Sequence, residues 1–207
     1  MYKGDNTVGT ARDAYYGGFK TVTLPASWQS QGFDFPIYAN TQYPWDAYGN
    51  GKVTVPNTPQ ATNPVGFYRS TFKVDPDWFD DRRVIISFGG VESCYYLWIN
   101  GYEAGYSEDS YDTSEFDITP YLRRDGGDNV IAVMVIRWCD GSWFENQDML
   151  RLAGIFRDVF IYSVPEVNVF DYRVITDLDD DFKDAKLLLD VTLKNESEAD
   201  IPSGYGI

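Results

Sequence analysis

Between Trp143 and Asp148 the chain sets two rings, two carboxylates and two amides in succession, as Trp-Phe-Glu-Asn-Gln-Asp. Rings offer flat faces for stacking, and carboxylates and amides accept and donate hydrogen bonds. Gathered on a loop between Asp140 and the apolar return at Ile155, this is the composition of a sugar-contacting edge. The same acids also suit a solvated turn, with Arg151 or Arg157 pairing Glu145 or Asp148. Trp143 and Phe144 fit stacking platforms, wedges against a neighbouring domain, or plain core.

Other chemistries are excluded or weakened. The chain has no His, which removes His-based zinc sites and any Ser-His or Cys-His nucleophile. Its two cysteines, Cys94 and Cys139, lie in apolar strand-like stretches and read as buried thiols, with a disulfide between them left open. The acidic run from Asp177 to Asp184 reads as a solvated turn. Its Asp179-Asp180-Asp181 lacks the spaced acids, Gly and terminal Glu of a calcium loop. A formal net charge of -15 repels polyanions, so nucleic acid and anionic membrane are poor partners, whereas neutral sugars are indifferent to that field. No apolar run reaches the length of a membrane helix. Aromatic residues make up 17% of the chain, and Tyr supplies 16 of them. That excess suits carbohydrate or protein contact, and equally the ordinary use of Tyr in strands.

The elements that must position the loop read as all-β. Short apolar or alternating runs recur between Gly, Pro, Asn and Asp, and helical periodicity is nearly absent. Tyr68, Ser70, Phe72 and Val74 fall on one face of an alternating strand. Val84 to Phe88 reads as a short buried strand. Tyr95 to Asn100 and Tyr102 to Tyr106 form a hairpin about Asn100-Gly101, both of which tolerate positive φ. Asn129 to Trp138 is apolar almost throughout, so both its faces must be covered, which places it at the centre of a sandwich. Ile155 to Tyr162 supplies another strand, and Ser163 to Glu166 reads as a linker because Pro165 cannot donate to a ladder. Val167 to Thr176 and Lys186 to Lys194 form a further alternating pair. Met1 to Tyr16 is polar and Gly-rich, and Tyr48 to Thr62 reads as a long surface loop.

The order of residues adds a resemblance. Asp140 to Val159 closely resembles the DGSYLEDQDMWR-SGIFRDV element of the amino-terminal sugar-binding domain in family 2 glycoside hydrolases, specifically the β-galactosidases. Leu24 to Pro44 (LPASWQSQGFDFPIYANTQYP) resembles the family's VPSNWQ-HGYD-PIYTN--YP. The segments FGGVES at Phe88, LWING at Leu97, GYSEDS at Gly105 and SEFDI at Ser114 resemble F-GV-S---LW-NG---GY--DS--SEFDL. Together these cover most of Leu24 to Val164. Asn146 stands where the family has the first acid of EDQD, and Leu150 where it has Trp.

The resemblance implies a jelly-roll β-sandwich (galactose-binding-like) over residues 1–164 and the beginning of an immunoglobulin-like β-sandwich, truncated, over 165–207. It implies that two loops reach the mouth of a neighbouring (β/α)₈ barrel and complete its sugar pocket. Asp148 would bond a galactose hydroxyl and help ligate sodium, with Asn40 near the bound sugar. Read without the family, Asn40 is a turn or cap residue. Retaining glycosidases use two carboxyls about 5 to 5.5 Å apart. In the family both glutamates, and the magnesium site with its His, belong to the barrel. The implied partners are therefore a β-galactoside and that barrel. This chain by itself is expected to be catalytically silent and to hold no cofactor. The family's opening LNG-W-F strand has no counterpart before Ala11, so a strand is expected to be missing at the front. An unpaired tail is expected to pair with a neighbouring copy, giving a homo-oligomer, or to fray. The alternative is a stand-alone carbohydrate-binding module of the same fold with its own affinity.

Overall fold

The computed structural model describes residues 7–10, 18–46, 53–145, 148–197 and 200. Among these there is no α-helix. The strands in chain order are β1 (Thr7–Thr10), β2 (Lys20–Thr21), β3 (Ile37–Ala39), β4 (Val65–Phe72), β5 (Arg82–Phe88), β6 (Val91–Glu92), β7 (Cys94–Ile99) and β8 (Tyr102–Ser107). They continue as β9 (Ser114–Asp117), β10 (Asn129–Ile136), β11 (Met149–Arg151), β12 (Gly154–Ile155), β13 (Val159–Pro165), β14 (Val167–Leu178) and β15 (Ala185–Asn195).

A six-stranded sheet runs β2-β1-β4-β10-β7-β8, and a three-stranded sheet runs β13-β5-β9. Every described pairing in them is antiparallel. Their inner faces supply one core: Tyr68 and Phe72 from β4, Val84, Ile86 and Phe88 from β5, Tyr95, Leu97 and Ile99 from β7, and Val133 and Val135 from β10. This is the all-β sandwich that the alternating runs predict, and the jelly roll that the resemblance implies. Strand β10 lies between β4 and β7, and none of its residues is exposed. On β4, Tyr68, Ser70 and Phe72 are buried, as is Val74 beyond it. The hairpin β7–β8 turns at Asn100 (φ 52°) and Gly101 (φ 85°), the left-handed pair that a two-residue turn requires. Cys94 and Cys139 are buried free thiols.

The polar start contains a strand, β1, which pairs with β2 and β4. Two expectations are corrected. Ile155 to Tyr162 is two strands, because the amides of Phe156 and Arg157 both donate to the carbonyl of Gly90 and bend the chain out of β12 before β13 begins. Ser163 to Glu166 is not a linker. Strand β13 runs through Pro165 and lies at an edge of its sheet, where the missing N–H breaks no ladder. Of the predicted surface loop, 53–62 carries no strand, and Tyr48 to Lys52 lie outside the described residues.

Strands β14 and β15 form a separate hairpin. Opposite Leu189, Val191 and Leu193 stand Val174, Tyr172 and Val169, which makes one face apolar. Within this chain most of that face is exposed. The acidic run forms its solvated turn, where the Asp179 amide donates to the Asp184 carbonyl.

Candidate functional site

The loop singled out by its composition returns to the sandwich as β11, which pairs with β3 in a two-stranded ribbon. Leu150 faces Tyr38 and Met149 faces Ala39, so one further step sets Asp148 opposite Asn40. Alternation does the rest: Ile37 points inward and is buried, whereas Tyr38, Asn40, Asp148 and Leu150 are exposed. Across the diagonal, the Tyr38 hydroxyl donates to Asp148 Oδ1 at 2.7 Å. The acceptor carboxylate holds that proton and raises the Tyr38 phenol above its ordinary value, while a hydrogen bond from Asn40 opposes the rise. One phenol thus joins the two residues that the sequence reading nominated separately. Tyr38 itself was missed; the alternation of Ile37 and Tyr38 before Asn40 is the signal that could have found it.

Buried charge anchors the ribbon. Arg137, 1% exposed, is ion-paired with Asp34, and its Nη2 donates to the carbonyls of Phe35 (3.1 Å) and Arg151 (3.0 Å). One guanidinium therefore holds the entry to β3 and the end of β11. Its planar fork of donors suits several acceptors at once, which a Lys would not. Arg151 Nη1 donates to the Glu145 carbonyl (2.9 Å), and the Glu145 carboxylate accepts from the amide (3.0 Å) and hydroxyl (2.6 Å) of Ser110. Arg157 instead donates to the carbonyls of Gly89 and Tyr111. Glu145 is thus a brace for the loop, and Asp148 is its exposed acid. Asn146 and Gln147 lie outside the described residues.

Beneath the loop is a small recess of about 10 Å³, room for roughly one water, lined by Pro44, Glu92, Ser93, Trp138, Ser142, Glu145 and Arg151. Burial lifts the Glu92 carboxyl to about 7, with Glu145 adding to the rise and Arg151 and Arg137 opposing it. No local pattern marks this acid, because the groups around it come from other strands and loops.

The rings divide. Trp143 packs edge-on to Tyr43 (4.2 Å between centroids) and Trp45 (4.9 Å), and its indole N–H donates to the Asn57 carbonyl, so it is packing. Phe144 is 86% exposed and stays open to contact. Phe35, Tyr38 and Leu150 are exposed too. The tryptophan-glutamine stretch is structural: Trp28 is buried, its indole donates to the Tyr68 hydroxyl at 2.6 Å, and Gln29 Oε1 accepts from the Ala153 amide.

Residues 12–165 match the profile of glycosyl hydrolases family 2, sugar binding domain. The chain belongs to this family. Among curated relatives it is 46% identical over 185 residues to the β-galactosidase of Priestia megaterium (strain DSM 319 / IMG 1521), covering 89% of this chain and 17% of that protein. It is 44% identical over 180 residues to the β-galactosidase of Clostridium acetobutylicum, covering 87% of this chain and 20% of that one. The chain therefore spans about a fifth or less of these relatives' length. Solved structures share the fold. A β-glycosidase from Bacteroides vulgatus aligns with a TM-score of 0.65 at 23% identity, over 96% of this chain and 24% of that one. The β-glucuronidase of Bacteroides uniformis aligns with 0.66 at 21% identity, over 93% and 22%. The ribbon of Tyr38, Asn40 and Asp148 lies within the matched residues.

Proposed function

We propose that this chain is the non-catalytic, sugar-contacting and scaffold portion of a retaining β-galactosidase acting on terminal β-galactosides, its loops completing the active site of a (β/α)₈ barrel. The observation that carries the reading is the tie from Tyr38 to Asp148 at the exposed end of a ribbon where Asn40 stands opposite. The carboxylate has one oxygen on the phenol and the other available to a hydroxyl or a hard cation, and the Asn40 amide can donate and accept. Asp148 would thus contact the galactose and supply one oxygen to sodium, the remaining ligands coming from the barrel, as would magnesium and both catalytic glutamates. Exposed Phe35, Tyr38, Phe144 and Leu150 suit burial against that barrel. Identity of 44 to 46% to proteins named β-galactosidases favours a galactoside.

On the same reading, residues 1–164 are the jelly-roll domain and the β14–β15 hairpin opens an immunoglobulin-like sandwich. Further strands, or a second copy in a homo-oligomer, would cover its apolar face.

The purified chain is expected to leave an aryl β-galactoside intact and to bind galactose or lactose no tighter than millimolar by calorimetry. Sub-millimolar binding would instead favour a stand-alone carbohydrate-binding module. In the complete enzyme, Asp148→Asn should lower kcat/KM for the galactoside at least about tenfold and raise the sodium concentration needed for half-maximal rate. An unchanged rate and sodium dependence would remove Asp148 from the site.

A further inference from the structure

Tyr38 has a task that packing does not explain. It is 62% exposed on a three-residue strand, so its ring adds little to any core. Its hydroxyl nevertheless crosses the ribbon to bond Asp148 Oδ1. That carboxylate stands at the end of the loop, one residue before β11 begins at Met149. An exposed Asp turns about two side-chain bonds unless something holds it. The next residue is held as well, since the Tyr111 hydroxyl donates to Met149 Sδ at 3.6 Å. Tyr111 is fixed from behind: Arg157 Nη1 donates to its carbonyl, and its ring lies 5.7 Å from that of Phe156. Two phenols from separate parts of the chain, one on β3 and one in the loop after β8, thus grip the place where the loop rejoins the ribbon.

From this geometry we infer that Tyr38 is a positioning residue for sugar recognition, fixing the Asp148 carboxylate so that Oδ2 alone faces one substrate hydroxyl. The inference rests on the sugar-contacting reading of Asp148 given above. Tyr38 acts through Asp148 and does not touch the sugar. A phenol suits the task because it is a stiff arm ending in a donor, long enough to span the diagonal of an antiparallel pair. Its acceptor is ionised, which makes the bond short and directional. With Oδ1 held, Asp148 meets a hydroxyl from one direction instead of swinging toward any nearby donor. The carboxylate is ordered before the sugar arrives, so binding does not bear that entropy.

The test uses the complete enzyme that carries this chain. Calorimetry would measure binding of a non-hydrolysable thio-β-galactoside and its monodeoxy analogues, so that catalysis plays no part. Asp148→Ala identifies the hydroxyl that this residue reads: the analogue lacking it should bind wild type and variant alike. Tyr38→Phe keeps the exposed ring, so Tm should not change. It should weaken the parent thiogalactoside at least about fivefold, weaken the other analogues equally, and leave the analogue lacking that hydroxyl unaffected. In the Asp148→Ala background it should add less than about twofold. If Asp148→Ala changes the binding of no analogue, the sugar-contacting reading fails and the inference with it. If Asp148→Ala singles out one hydroxyl but Tyr38→Phe binds every analogue as the wild type does, the reading stands and the inference is overturned. Equal weakening toward all analogues, or an undiminished effect in the Asp148→Ala background, would show Tyr38 touching the sugar or merely supporting the fold, and would likewise overturn it.

Discussion

Glu92 shows how a single acid can report on the recess beneath the loop that leads to Asp148. Its ordinary pKa of 4.5 rises to about 7 in the fold, chiefly because burial penalises the charged form. Between those values the native state holds a proton that the unfolded chain has lost. The stability Glu92 allows is therefore complete below about pH 4.5 and is lost as pH climbs through about 7. Arg151 and Arg137 limit the loss without cancelling it. Glu92→Gln mimics the protonated form, so urea unfolding should show little change at about pH 4 and a gain of up to about 3 kcal/mol at about pH 8. An equal effect at both pH values would place the Glu92 proton outside the linkage. Residue by residue, the candidate site was partly legible. Asp148 and Asn40 were nominated through the resemblance, and the alternation of Ile37 and Tyr38 could have added Tyr38, but Arg137 and Glu92 carry no local signal. Their roles depend on partners distant in the chain, such as Arg137 on Asp34 at a separation of 103.

Among the elements, long strands were legible and short ones were not. Strand β10 and the β7–β8 hairpin carry enough alternation or turn chemistry to declare themselves. Strands β3 and β11 are three residues each, too short for a period to show, and their pairing is imposed by the buried anchor of Arg137. The break after β12 is equally hidden, since the carbonyl that bends it belongs to Gly90. The Trp28 brace is another such long-range device, and it can be tested. A Cβ on Gly66 would come within 2.5 Å of the Trp28 ring, which is held at its indole by Tyr68 and at its amide by Ala153. Replacing a strand Gly by Ala gains about 0.5–1 kcal/mol in chain entropy, but overpacking a fixed ring costs about 1–3 kcal/mol. Gly66→Ala should therefore lower the urea midpoint, and an unchanged or higher midpoint would mean that Trp28 yields.

At the scale of the whole molecule, the sandwich and the β14–β15 hairpin differ in how they are held. The sandwich has a closed core. The hairpin is fastened at its base, where Arg83 Nη2 donates to the Glu196 carbonyl at 2.7 Å and pairs with Glu166 at 3.2 Å, the Glu166 amide donates to the Asp81 carbonyl, and Asn168 Nδ2 donates to the Pro165 carbonyl. Local opening follows buried contact, so hairpin amides should exchange with solvent far faster than those of β10. Arg83→Ala should accelerate exchange in β14 and β15 while leaving β10 unchanged, as hydrogen-exchange mass spectrometry would show. Equal protection in hairpin and sandwich would mean that the apolar face is already covered in solution, and sedimentation would then reveal whether by a second copy. Here the alternation along both strands was legible in the sequence, but what covers it is a matter of neighbours that no local pattern encodes.

The bond from Tyr38 to Asp148 spans 110 positions of the chain. Closing so large a loop is entropically expensive, and nothing local repays it until the strands between have docked. The rim that carries Asp148 should accordingly be among the last features to form during folding. A chain whose sandwich is misassembled would then lack this rim, so under the proposed function ligand recognition doubles as a check that synthesis and folding have run to completion.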